Sequence, residues 1–174
     1  MPFTFARRTL WRAPLLATLV GSLAASPVAA TEQATERYAL GGYEVWYSPT
    51  MAVFAGTSRV AGADLSAWYA TIEHSLVINP SGTVTGGFAT LYLPDGVRIT
   101  GRFSDGTIVQ TDPGVNCTTE YHAIAGNLRD VSRSDVGAVG TAALSATLVH
   151  HRAWIFGRCL SYAASVEGTI EISL

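Results

Sequence analysis

The chain has 174 residues and a formal net charge of −2, with 11 basic and 13 acidic side chains and no lysine. Hydrophobic residues make up 48% of the sequence, which is enough to build a packed core. A mildly acidic chain without basic runs is a poor partner for nucleic acid or an anionic membrane surface, so neither function is expected.

Residues 1–30 have the three zones of a cleavable export signal. Arginines at positions 7, 8 and 12 precede an uncharged apolar run, and small residues precede a cut before Thr31. The run is shorter than the ~20 residues of a membrane-spanning helix, which argues against an uncleaved anchor. Because Arg7-Arg8 also resembles a twin-arginine signal, the general secretory route and the twin-arginine route both stay open. We expect an exported protein, periplasmic or extracellular.

The rest of the chain has the length of one domain. Residues 31–37 are polar and without periodicity, so they are predicted to form a disordered leader before a single domain over residues 38–174. From residue 38 onward, β-branched and aromatic residues alternate with short runs of Gly, Asp, Asn and Pro, a pattern typical of many strands. Strands are predicted at residues 43–47, 52–60, 84–93, 97–103, 107–111, 117–125 and 138–155.

Turns and loops between these strands follow from Gly and polar residues. Asp95-Gly96 and Asp105-Gly106 predict hairpin turns, because Gly tolerates the positive φ that such turns need. The polar residues 127–137 predict a loop.

Residues 65–75 fit two structures. A helix would align Leu65, Trp68 and Ile72, whereas a strand would bury Trp68 and Ile72 and run on through residues 75–78. The strand is favoured because it continues directly into the next apolar residues.

The C-terminal segment alternates strictly. Even-numbered residues from Leu160 to Leu174 are apolar, apart from Gly168, and the odd-numbered ones are small or polar, which predicts a half-buried antiparallel strand. Gly168 in its middle predicts a bulge or a sharp bend.

In all, eight to ten short strands predict an all-β fold, a small antiparallel β-barrel, with a two-sheet sandwich as the alternative.

Two cysteines remain after export, Cys117 and Cys159. An even count in an exported domain predicts a disulfide. A metal site is the competing interpretation, but neither cysteine has another Cys or a His at ligand spacing.

The candidate catalytic residues are His122 and Glu120. They are two apart on a predicted strand and so share a face, which makes them an acid–base pair or half of a metal site, unless the face is simply exposed. His150 and His151 are adjacent in a strand, so they point to opposite faces and cannot bind one ion together. No metal and no cofactor are expected.

Aromatic residues are the candidate ligand contacts. We select Trp46, Trp68, Tyr121 and Trp154, because barrels that bind small molecules have aromatic walls with a few polar points. The alternative is a core filled by the same side chains.

The leading functional hypothesis is an exported soluble barrel that binds a small apolar or aromatic molecule; whether it is also a cofactor-free enzyme acting in the barrel stays open. One alternative is a periplasmic or secreted protein-interaction or inhibitor module that uses loops such as residues 127–137. The other is an eight-stranded outer-membrane barrel. The sequence contains no nucleophile elbow and no glycine-rich phosphate loop.

Overall fold

A computed structural model describes residues 35–60, 66–76, 78–137 and 139–173. The predicted export signal lies outside these residues. Eight strands follow one another: β1 (Thr35–Ser48), β2 (Met51–Arg59), β3 (Ser66–His74), β4 (Ser81–Tyr92), β5 (Arg98–Asp112), β6 (Glu120–Arg133), β7 (Val139–Ile155) and β8 (Arg158–Ser173). Each strand pairs antiparallel with the next, and β8 pairs with β1 to close a barrel. The predicted small antiparallel barrel is confirmed, with eight strands.

The barrel interior is an apolar core. Alternate residues of each strand point inward, and Phe54, Ile72, Val131 and Ile172 are among the most deeply buried. Two internal voids lined by core side chains have volumes of about 10 Å³ each. A void of this size holds at most one water molecule. The part of the interior that these residues enclose is therefore filled by protein.

The apolar face of β8 points into this core. Val166, Ile170 and Ile172 are buried, whereas Glu167 and Glu171 on the other face are exposed. The half-buried strand predicted from the alternation is confirmed from Ala164 to Ile172. Leu160 and Tyr162, predicted on the same face, are exposed, because the register against β7 shifts at Tyr162. An outer-membrane barrel has the opposite arrangement, with apolar side chains on the lipid and a polar interior.

Gly168 has a different role from the predicted bulge. The register of β8 with β1 and with β7 is continuous at Gly168. A Cβ there would collide with the backbone of Ser145 and Ala146 on β7. The glycine therefore permits a close approach of β7 and β8.

The predicted turn at Asp105-Gly106 is wrong. β5 continues through these residues without a turn, although its register against β6 shifts between Phe103 and Asp105. Asp-Gly occurs at β-bulges as well as in hairpin turns. The dipeptide alone therefore does not show which of the two structures forms.

The predicted loop at residues 127–137 is also wrong over most of its length. β6 continues to Arg133, and only residues 134–137 turn toward β7. Leu128 and Val131 point inward and are buried in the core. Polar side chains on the outer face hid this alternation in the sequence.

The ambiguous segment before β4 is a strand, as predicted. Trp68 and Ile72 are buried on its inner face. The strand ends at His74, however, and Leu76 is exposed, because the chain turns here toward the start of β4.

At the other end of the sequence, β1 already begins at Thr35, three residues before the predicted start of the domain. Among the described residues, no helix has the length and hydropathy to cross a membrane.

A buried tyrosine, Tyr38, lies near the end of the barrel where β1 begins. Tyr38 donates a hydrogen bond of 2.8 Å to Glu36 Oε2, and Arg133 Nη1 lies 2.7 Å from Glu36 Oε1. Burial, and to a smaller extent the hydrogen bond to Glu36, raises the pKa of Tyr38 from 10.0 to about 12. The folded protein therefore holds the phenol proton more tightly than the unfolded chain does.

This raised pKa predicts a loss of stability in alkali. The contribution of Tyr38 is fully present below about pH 10 and is lost as the pH rises toward 12, at a cost on the order of 2 kcal/mol. Tyr38→Phe should show a shallower alkaline decline, which urea denaturation at several pH values would measure. Parallel declines in the two proteins would contradict the assignment.

Candidate functional site

Polar side chains gather inside the opposite end of the barrel, where β1 meets β2, β5 meets β6 and β7 meets β8. We call this group the polar cluster; it consists of Glu44, Gln110, Glu120, His122, His150 and Arg152. Most of these side chains are largely removed from solvent, with His122 and Glu44 each only 8% exposed. Buried polar and charged groups are costly, so a concentration of them marks this end as the candidate site.

The inner pair of the cluster is the predicted one, Glu120 and His122. Glu120 Oε1 accepts hydrogen bonds from Gln110 Nε2 at 2.6 Å and from His122 Nε2 at 2.9 Å. Burial lowers the pKa of His122 below its ordinary value, while the charge of Glu120 acts in the opposite direction. A neutral ring that donates through Nε2 keeps a lone pair on Nδ1, and this buried atom has no hydrogen-bond partner among the residues that the structure describes.

An outer pair, Glu44 and His150, lies next to the inner one. His150 Nε2 is 3.2 Å from Glu44 Oε2, and the His150 ring meets the His122 ring edge to face, with centroids 5.2 Å apart. The His150 side chain is 23% exposed. The two histidine–glutamate pairs thus form one continuous group, and the outer pair is nearer to solvent.

The connection from β5 to β6 is fixed beside the cluster. Arg152 Nη1 donates to the carbonyl oxygen of Pro113 at 3.0 Å and lies 3.4 Å from Glu120 Oε2. The predicted disulfide between Cys117 and Cys159 is confirmed and ties the same connection to the start of β8. The guanidinium and the disulfide therefore hold this connection against the β7–β8 side of the site.

The barrel wall opens beside the outer pair. The last β1–β8 pair on this side is Tyr43 with Ser165. Beyond it, residues 44–48 pair with β2 and residues 158–164 pair with β7, but the two stretches do not pair with each other. We call this opening the seam.

Bulges account for the separation of the two strands. The register of β1 against β2 shifts at Val45, and the register of β8 against β7 shifts at Tyr162. Because a bulge bends its strand and increases the local twist, each hairpin can turn away from the other at this point. The seam leaves the Glu44–His150 pair near an edge of the wall.

Exposed aromatic residues lie on the inner faces of β1 and β7 at this end of the barrel. Tyr47 is paired with the buried Ala52, so it lies on the inner face of β1 although it is 72% exposed. Trp154 continues the inward series of β7 beyond His150 and Arg152 and is 65% exposed. Both rings therefore stand at the mouth of the barrel, above the polar cluster.

No family model, no curated protein and no solved structure matches the chain. Its function has to be inferred from the site itself.

The four predicted ligand contacts lie in different places. Trp154 is at the mouth, but Trp68 is buried in the core, where its Nε1 donates to the Gly41 carbonyl oxygen. Trp46 pairs with Val53 on the outer face, and Tyr121 alternates with the buried His122 and so also points outward. Of the four, Trp154 is the one that lies at the mouth, on the inner face of the strand that carries His150.

Sequence reasoning missed several members of the site, namely Glu44, Tyr47, Gln110, His150 and Arg152. The sequence places His150 and His151 on opposite faces of one strand but does not show which of the two faces inward. Glu120 and His150 are direct cross-strand partners, and this juxtaposition depends on the β6–β7 register. The sequence around His122 and His150 does not show how β6 pairs with β7.

Open grooves of about 370 and 310 Å³ lie on the outer surface of the described residues. The larger lies over β5 to β8 and is lined mainly by small side chains such as Ala123, Ala125 and Ser145. The smaller follows the β1–β8 junction next to Tyr43 and Ser165, where the seam begins. Neither groove includes a residue of the polar cluster.

Proposed function

We propose that the protein binds a small apolar or aromatic molecule at the mouth of the barrel, with a polar group of that molecule directed at the polar cluster. The observation that carries this proposal is a buried, charged cluster at one end of an otherwise apolar barrel. Structural needs alone seldom retain two buried carboxylates and two histidines in one place, since apolar residues would pack there at lower cost. The cluster supports a site for a ligand.

The packing of the barrel favours binding at its open end. Because the two core voids are too small for such a molecule, a ligand would contact the barrel at its open end, where Tyr47 and Trp154 offer flat apolar surface and the seam gives access from the side. The inward apolar face of β8 favours this function over an outer-membrane barrel. The loss of the predicted loop at residues 127–133 removes the main support for an interaction module.

The chemistry available at the mouth is proton transfer. Each imidazole is held by a carboxylate, which is the arrangement that lets histidine take up or give a proton in place. His122 and Glu120 remain the predicted catalytic pair, and His150 with Glu44 is the pair with more access to solvent. Binding is the primary proposal; an enzymatic step would use these groups.

The disulfide supports a proposal about the compartment in which the protein works. A bond between Cys117 and Cys159 persists in an oxidising compartment such as the periplasm or the extracellular space. We therefore propose that the protein works after export.

The test is a nuclear magnetic resonance screen of the isotope-labelled protein against a set of small aromatic acids, alcohols and amines. We expect hits to shift the amide signals of Tyr47, His150 and Trp154. Trp154→Ala should then weaken a hit by about tenfold, an effect near 1.4 kcal/mol. Trp46→Ala is the matched control, because Trp46 is similarly exposed but lies on the outer face. Hits confined to the outer grooves, or none at all, would count against the proposal.

A further inference from the structure

The polar cluster contains one arrangement that acid–base chemistry does not require. Glu120, His122 and His150 each present one potential ligand atom, and these three atoms lie within 4.8 Å of one another. We propose that these three side chains bind a single divalent transition-metal ion, of which Zn²⁺ is the expected representative. The inference concerns the cluster alone and does not depend on whether a small molecule binds at the mouth.

The donor set selects the class of ion. Two imidazole nitrogens and one carboxylate oxygen suit Zn²⁺ and its first-row neighbours, and this set is one that catalytic zinc sites use. Calcium and magnesium prefer oxygen donors throughout, so they are expected to bind poorly. Three protein ligands would leave a fourth position for water or for a polar group of a ligand.

The strands hold the three groups in place before any ion arrives. Glu120 and His150 are direct partners across the β6–β7 ladder, and His122 follows Glu120 by two residues on the same face. Adjacent strands in a closed sheet fix such spacings, so binding would require adjustment of side chains and little movement of the backbone.

Neighbouring groups already orient the ligands. Gln110 Nε2 donates to Glu120 Oε1, while Arg152 lies nearest the other oxygen, Oε2. Glu44 contacts one nitrogen of His150 and leaves the second nitrogen for another partner. Histidines that bind metals usually have a carboxylate on the far nitrogen, which fixes the ring and strengthens it as a donor.

His122 gives a second, independent indication. One of its ring nitrogens bonds to Glu120, and the other is buried with no partner in the described part of the chain. A histidine kept only for packing would normally have both nitrogens satisfied. A bound ion would give this ring a strong interaction that the metal-free cluster lacks.

Charge also favours a cation. The carboxylates of Glu44 and Glu120 exceed the single guanidinium of Arg152 by one negative charge when both histidines are neutral. An ion bound through Nδ1 of His122 would occupy the lone pair that the ring needs to take up a proton, so the metal-bound state and the acid–base state are alternative states of one site. In the metal-bound state the ion would polarise the ligand group at the fourth position.

The test is a titration of the exported, disulfide-bonded protein, free of any histidine tag and stripped with a chelator. We expect calorimetry to give one Zn²⁺ per chain, and Co²⁺ to develop the visible absorption of a low-coordinate nitrogen–oxygen site. Glu120→Gln and His150→Ala should each weaken Zn²⁺ binding by about 100-fold or more. These variants change partly exposed positions, and circular dichroism would verify that both fold.

His151→Ala is the matched control, because His151 is the next residue on the same strand and points outward to Ser165. It should leave the Zn²⁺ affinity unchanged. The proposal is overturned if the protein takes up no Zn²⁺, or if Glu120→Gln and His150→Ala bind it as well as the parent does. Trp154→Ala should bind Zn²⁺ normally, so metal binding and small-molecule binding can fail separately.

Discussion

Replacing Trp68 with alanine is expected to lower the free energy of unfolding by about 3–5 kcal/mol. The indole is buried, stacks on Phe54 with ring centroids 6.5 Å apart, and donates from Nε1 to the Gly41 carbonyl oxygen at 3.1 Å. Truncation would open a cavity in the filled core and leave that carbonyl without its side-chain partner. Urea denaturation followed by circular dichroism would measure the loss.

Trp46→Ala is the control for this experiment. Trp46 is about half exposed on the outer face of β1, so its loss should change the stability by no more than about 0.5 kcal/mol. Equal effects of the two substitutions would mean that Trp68 is not part of the core. Trp68→Phe should be milder than Trp68→Ala, because the remaining ring refills most of the volume.

Removing the disulfide is expected to have an effect of similar size. Cys117 and Cys159 are 42 residues apart, and opening a loop of that length costs about 4 kcal/mol in the chain-entropy description. The double substitution Cys117→Ser with Cys159→Ser would measure this loss, and reduction of the parent protein should reproduce it. A reduced protein as stable as the oxidised one would contradict the prediction.

The same change should have a local signature. Without the bond to β8, the connection from β5 to β6 is held mainly by Arg152 and by Asp112 Oδ1, which accepts from the Gly114 amide. Hydrogen exchange should therefore accelerate at residues 113–119 more than in the barrel strands. Uniform acceleration would indicate that the bond stabilises only the fold as a whole.

The fold was predictable from local patterns because each strand satisfies the same rule. Alternation over the C-terminal segment placed Val166 and Ile172 on one face, and that face is the buried one. The rule failed where polar residues cover the outer face beside a bulge, as around Leu128 in β6. A bulge changes the alternation without leaving a unique residue signature.

The site was predictable only in part, for a different reason. Glu120 and His122 are near neighbours in the chain, so their contact follows from strand geometry alone. Glu44 and His150 are 106 residues apart, and their contact exists only because the barrel closes with β8 between β1 and β7. Nor could composition separate Trp68 from Trp154, since both lie on inner faces and differ in distance from the barrel mouth.

The closure of the barrel has a consequence for how the chain could be rearranged. Thr35 and Ser173 are partners on adjacent strands, so the two ends of the described barrel are side by side. A short linker could join them, and a new start could be made in the exposed turn at Gly96, where no strand would be cut. Such a circularly permuted chain would keep all eight strand pairings, although β5 rather than β1 would then be the first strand.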